Sequence, residues 1–239
     1  MLRSRSFCLL LVLVLLAASA AAQDELRLDP KDPSYHPPVA TVIFDLNFPG
    51  ASPSHYTVAV NADGKAAYQS NGGEDNAATG QSTGDPNIVA FTMTEAARAR
   101  IFALTQKLNY FSGSYEYTRG RVANTGSKTL VFADSSRHNS TTYNYSQVPA
   151  IQELTRFFQS VSATLEYGRR LQYDLRFDKL DLPKQLDKMT AEAQDKQLAE
   201  LQAVVPVLQK ISADSSVMRI ARVNADRLLA MAGAPLAAR

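Results

Sequence analysis

The stretch His55 to Ser70, HYTVAVNADGKAAYQS, decides the fold. Tyr56, Val58 and Val60 alternate with smaller or more polar residues, the period-two pattern of a strand with one buried face. Asp63-Gly64 follows, a dipeptide suited to the positive φ of a tight hairpin turn, and Lys65 to Ser70 returns beside the first strand. Upstream, Ala40 to Phe48 (ATVIFDLNF) sets Val42, Phe44, Leu46 and Phe48 on one face, and downstream Ile88 to Met93 supplies another strand. Between the hairpin and that strand, Asn71 to Asn87 is almost free of apolar residues and reads as a mobile loop, because it has little to bury in return for being ordered.

Helical spacing begins at Thr94, which caps a helix from Glu95 to about Leu108 with Ala97, Ile101, Leu104 and Leu108 on one face. A Tyr- and Gly-rich connection, Asn109 to Ser127, leads to a second hairpin, Lys128 to Ala133 and Ser140 to Tyr145, about the polar turn Asp134 to Asn139. Pro149 then starts a long helix carrying Ile151, Leu154, Phe157, Phe158, Val161 and Leu165. From Leu165 onward strand signals stop. Pro183 to Ala193, Lys196 to Ser212 and Ser215 to Met231 read as three amphipathic helices. This order predicts an α+β fold, an antiparallel sheet with helices packed on one face, followed by a C-terminal all-α helical unit. The expected division is residues 40–168 for the α+β domain and 169–239 for the helical unit.

The first residues have the build of a secretory signal: Arg3 and Arg5, the apolar run Phe7 to Leu16, and the small residues Ala17 to Ala22. That run is shorter than the roughly 20 residues that cross a bilayer. Cleavage is expected after Ala22, leaving a Pro-rich leader over residues 23–39, a secreted or periplasmic location, and no stable membrane insertion. Cys8, the single cysteine of the chain, would leave with the signal, so the mature protein would have no thiol for disulfides, metal ligation or catalysis. Of 25 basic residues, Arg3 and Arg5 would also be removed, leaving 23 against 23 acidic. That balance gives no reason to expect nucleic acid as a partner.

The stretch from His55 to about Val161 resembles a family of exported α+β domains of bacterial envelope proteins that have no assigned activity. The resemblance rests on Tyr56 to Tyr68 (YTVAVNADGKAAY), Thr94 to Ile101, Leu108 to Phe111 (LNYF), Lys128 to Phe132 (KTLVF) and the helix starting at Pro149. Ala199 to Leu229 is similar to one HEAT-type helical hairpin. Leu201, Pro206, Leu208 and Ile211 match its first helix, with Pro206 as the kinking residue. Asp214, Val217, Ala221, Ala225 and Leu228 match its turn and second helix. HEAT-type repeats bury their faces by stacking on neighbours, and a packed helical appendage explains the same residues.

Gly80-Gln81-Ser82-Thr83-Gly84 matches the G-x-S-x-G pattern of a serine-hydrolase elbow, making Ser82 a candidate nucleophile. The chemistry needs that serine on a tight turn from a buried strand into a helix, whereas here Asp85-Pro86 follows within a polar loop. His36, His55 and His138 lack the spacing that places two imidazoles on one metal ion, and no cofactor is expected. Asp45, within an apolar strand, needs no special account if it faces solvent. Tyr110, Tyr115, Tyr117, Arg119 and Arg121 form the best ligand-binding candidates, since aromatic rings beside guanidinium groups stack on sugars, bases or peptide side chains. Rings that simply cover an edge of the sheet core would use the same residues. The expectation is a non-catalytic binding or interaction module acting on another envelope protein. The alternatives are a serine hydrolase using Ser82 and a binder of small ligands or glycans.

Overall fold

The computed structural model describes residues 34–71, 75–76, 81–82 and 86–234. The proposed signal, most of the leader, and Gly80, Thr83 and Gly84 of the serine motif lie outside the described residues.

The chain runs through β1 (Thr41–Asn47), β2 (His55–Asn61), β3 (Lys65–Ser70), the two-residue strands β4 (Asp75–Asn76) and β5 (Gln81–Ser82), and β6 (Asn87–Thr92). Helix α1 (Glu95–Lys107), strands β7 (Ser127–Ala133) and β8 (His138–Tyr143), and helix α2 (Pro149–Phe177) follow. The C-terminal part holds α3 (Leu182–Gln194), α4 (Val205–Ala213) and α5 (Arg219–Met231). Six strands make one antiparallel sheet in the order β6-β3-β2-β1-β7-β8, and β4 and β5 pair separately. The fold is α+β, as the hairpin pattern predicts. Gly64 takes φ +92° at the turn between β2 and β3, where a side chain would be strained.

Register sets the core. Val42, Phe44 and Leu46 lie opposite Val60, Val58 and Tyr56 on one side and Phe132, Leu130 and Lys128 on the other. This face meets α1 and α2. The Phe158 ring stacks on Phe44 with centroids 5.2 Å apart, and burying each such side chain is worth about 1.5–3 kcal/mol. The opposite face differs from a simple polar exterior. Ile43, Ala59, Val131 and Ala133 are buried as well. Asp45 shares that face and is only 4% exposed, so the solvent-facing reading of this residue is wrong. Part of the leader folds back toward the same side: Pro37 is buried, and the His36 ring meets His138 edge-on.

One helical expectation is extended by the structure and another is corrected. Helix α2 continues for 29 residues to Phe177, well beyond Leu165, because Leu171 and Asp174 still have a core-facing side. The helix expected from Lys196 starts only at Val205. Lys196 and Glu200 have φ of 59° and 57°, a left-handed backbone that cannot continue an α-helix. Pro206 therefore sits in the first turn of α4, where its missing N–H costs nothing, and initiates the helix instead of kinking it.

One apolar cluster runs from the sheet through α2 into the C-terminal helices: Leu171, Leu186, Leu208, Ile211, Val217 and Leu228 all belong to it. On α5, Ile220 is 62% exposed. The buried face of α5 is set by Ala221, Ala225, Leu228 and Leu229 instead. Among the described residues, no helix is long and apolar enough to cross a membrane.

Candidate functional site

The tyrosine and arginine cluster divides between two ends of the β7–β8 hairpin. Asn109, Tyr110 and Phe111 take three successive positive φ values of 48°, 54° and 62° without a glycine. Such a backbone costs roughly 1–2 kcal/mol per residue, and burial of Phe111 helps hold it. The turn lays Tyr110 on Phe132, with ring centroids 4.7 Å apart, and the Arg137 guanidinium covers Tyr110 at 4.2 Å. Arg137 in turn donates through Nε and Nη2 to Asp134 Oδ2 at 2.9 and 2.7 Å. Backbone N–H donation from Ser136, supported by Arg137, lowers the Asp134 carboxyl to about 2. Tyr110 is thus committed to packing.

Tyr115 donates its hydroxyl to the Leu108 carbonyl at 2.5 Å and closes the end of α1. Tyr117 belongs to the other end of the hairpin. Its N–H donates to the Tyr145 carbonyl at 2.8 Å, and the two rings meet edge-on, centroids 5.9 Å apart. Arg119 and Arg121 are exposed nearby and have no hydrogen-bond partner among the described residues.

Beside Tyr117 and Tyr145 a recess of about 350 Å³ opens between the end of β8 and the first turns of α2. Lys128 lies at its wall, 4% exposed. The Lys128 ammonium donates to the Thr125 carbonyl (2.8 Å), Thr125 Oγ1 (2.9 Å), the Gly126 carbonyl (3.0 Å) and the Asn144 carbonyl (2.8 Å). Burial pushes this amine below the ordinary lysine range, opposed by the nearby Glu116 carboxylate. Glu116 accepts the Asn144 N–H at 2.6 Å, and Asn144 Oδ1 accepts the Thr125 N–H at 2.7 Å. These bonds make the end of the 112–126 connection a fixed rim. Asn144 Nδ2 donates to the Ala123 carbonyl at 3.0 Å. Tyr143 donates to Thr155 Oγ1 at 2.7 Å, since the threonine hydroxyl proton is already given to the Ile151 carbonyl.

The recess shares Arg156 and Gln159 with a wider one of about 570 Å³, bordered by Phe157, Lys196 and Gln197. Together they form a trough along the outer side of α2. Sequence reasoning missed its floor because Gln152, Arg156 and Gln159 read as an ordinary solvated helix face. Their only signal was a polar side facing a connection rich in aromatics.

A separate polar pair stands on the other face of the sheet. His55 Nε2 lies 2.6 Å from Asp45 Oδ2, and Thr57 donates to the same oxygen at 3.0 Å. Asp45 gains this partner because β1 and β2 pair Asp45 with Thr57 and place His55 two residues earlier, at the start of β2. Ser82 is in β5, its backbone paired with Asp75, and the next described element is a strand, β6. Among the described residues, no group of three or more His, Cys, Asp or Glu side chains is placed to hold a metal ion.

No protein-family model matches the chain, and no curated protein matches it in sequence.

Proposed function

We propose that the protein is an exported, non-catalytic binding module that holds an extended segment of another exported protein in the trough along α2. The trough itself carries this reading. Its two recesses share a wall, so a ligand following them is a chain rather than a compact molecule. The amides of Gln159 and Gln197 can both donate and accept, as peptide groups require, Gln152 is anchored by its Nε2 bond to the Ser146 carbonyl, and Tyr145 and Phe157 offer apolar surface for side chains. The buried lysine at its wall is engaged by four oxygens, an arrangement that supports a rigid rim over a reactive amine. Export follows from the apolar N-terminal run, and the family resemblance of residues 55–161 points the same way.

The test is selection of binders from a displayed peptide library by the mature protein, with a panel of immobilised glycans in parallel. Selected peptides should bind Tyr145→Ala and Arg156→Gln at least tenfold more weakly, about 1.4 kcal/mol. Equal affinity for both variants would remove the trough as the site, and binding to glycans alone would replace the peptide by a sugar chain.

A serine-hydrolase reading keeps one specific observation. The Asp45–His55 pair stands where the chain leaves β3 toward Ser82: Asn71 N–H donates to the His55 carbonyl at 3.1 Å, and His55 N–H donates to Asn71 Oδ1 at 3.2 Å. Hydrolysis of activated esters that disappears in both Ser82→Ala and His55→Ala would favour it over the binding module. Turnover that survives either substitution would count against it.

A further inference from the structure

We propose that a recess between α2 and α3 is a second binding site, for a small organic molecule bearing a carboxylate, read by Arg169 and Tyr167. The recess holds about 260 Å³ and is lined by Ser52, Glu166, Tyr167, Arg169, Arg170 and Lys188 among others. Its volume is below the range typical of sites for drug-sized ligands, which limits the occupant to a molecule of amino-acid or dicarboxylic-acid size.

The site is built on a fixed carboxylate. Glu166 Oε1 accepts from the Tyr68 hydroxyl (2.9 Å), Ser70 Oγ (2.7 Å) and Asn87 Nδ2 (3.4 Å). Tyr68 is itself fully buried and accepts from Ser162 Oγ at 3.0 Å. Glu166 Oε2 takes the Nε–H of Arg169 at 2.7 Å. Desolvation opposes ionisation of Glu166, but the Arg169 and Ser70 bonds outweigh it and hold the carboxyl below its usual range. The carboxylate's charge is therefore spent on groups of the protein.

Arg169 is what remains available. Its guanidinium is pinned at one edge by the Nε bond, while its terminal amino groups make no hydrogen bond among the described residues. A guanidinium oriented in this way presents two parallel donors, the geometry that a carboxylate accepts bidentately. The Tyr167 hydroxyl is enclosed and faces the Glu192 carboxylate without a hydrogen bond of good geometry. Burial and the Glu192 carboxylate push its ionisation up, so it stays a donor, and a donor whose bond to its neighbour is poorly formed gains from a ligand that offers a better acceptor. Arg170, on the rim, has no ion-pair partner among the described residues. Lys188 lies 3.8 Å from Glu192. Arg170 is also attracted to Asp174, so the cation that the recess offers an anion is the Arg169 guanidinium, with Lys188 beside it.

The experiment titrates the mature protein with succinate and with L-glutamate, using succinamide, which has no carboxylate, as the neutral control, and follows heat and backbone amide shifts. Saturable binding is expected for at least one acid, weakened tenfold or more in Arg169→Lys, which keeps the charge and loses the fork, and in Tyr167→Phe, which removes one hydroxyl. Succinate binding alone would identify a dicarboxylic acid, and glutamate binding alone an amino acid. Arg156→Gln, in the trough, should leave either affinity unchanged, so the two sites fail or succeed separately. Absence of saturation up to about 50 mM, far weaker than the 4.1 kcal/mol of a 1 mM complex, would overturn the proposal. So would undiminished binding by folded Arg169→Lys and Tyr167→Phe proteins.

Discussion

Glu200 and Thr94, 106 positions apart in the chain, are joined by two hydrogen bonds: Glu200 Oε2 accepts the Thr94 N–H at 2.7 Å and Oε1 accepts the Thr94 hydroxyl at 2.8 Å. Thr94 is the N-cap of α1, so a carboxylate from the C-terminal region sits at the positive end of a helix in the α+β part. Charge-assisted bonds of this kind are worth roughly 1.5–3 kcal/mol, and a carboxylate near a helix N-terminus adds a few tenths more. The left-handed backbone of Glu200 is held in place by this attachment.

Replacing Glu200 by Ala should therefore destabilise the protein by about 1.5–3 kcal/mol. Urea unfolding followed by both far-ultraviolet dichroism and tyrosine fluorescence checks this. The two probes should give coincident transitions, because one apolar cluster spans both parts. Two separated transitions would show that the helical unit unfolds by itself.

Glu166 makes stability depend on acid. Its folded-state pKa is depressed below the ordinary 4.5. The carboxylate's contribution is present above the unfolded pKa of about 4.3 and is lost as pH falls through the lower folded value. Glu166→Gln should be less stable than the parent at pH 7, and the gap should narrow as pH is lowered below about 4.5. Denaturation midpoints of the two proteins between neutral and acid pH supply the measurement. A gap that stayed constant would mean that the charge of Glu166 contributes nothing.

Lys128 closes the rim of the trough. Lys128→Met keeps most of the buried stem and removes the ammonium that satisfies four oxygens. Leaving buried acceptors without a donor costs about 1–3 kcal/mol each, so a loss of at least ~2 kcal/mol is expected. Hydrogen exchange should rise first at the Thr125 and Asn144 amides, whose bonds depend on the rim. Exchange unchanged at both would show that the rim holds without the lysine.

Gly168 lets α2 approach the chain before α4. A Cβ at this position would lie 2.6 Å from Val204 Cγ1. Gly168→Ala should gain up to about 1 kcal/mol in helix propensity and lose about 1–3 kcal/mol to overpacking, a net destabilisation. Val204→Ala removes the atom in the way, so the double variant should recover part of the loss in a thermal-melting cycle. Purely additive effects would place the cost elsewhere.

The sequence by itself determined the six strands of the main sheet, the hairpin turn at Asp63-Gly64, the Thr94 cap and the α+β class, but not the short pair β4 and β5 within the stretch read as a loop. Each of these depends on periodicity and on backbone preferences that act over a few residues. It also contained the ingredients of the trough but not their arrangement. The tyrosine and arginine cluster is contiguous in the chain, yet three left-handed residues at 109–111 send Tyr110 to one end of a hairpin and leave Tyr117 at the other. Only tertiary structure decided this, since no glycine marks the turn and burial of Phe111 and Tyr110 offsets its backbone cost. The partners of Asp45 and Glu166 were equally out of reach. Sheet register brings His55 to Asp45, and helix-on-sheet packing brings Tyr68 and Ser70 to Glu166 across separations of 98 and 96 residues. Local pattern gives a residue its face on a strand or helix, but the electrostatic role of a buried carboxylate comes from whichever distant donors the folded chain delivers to it.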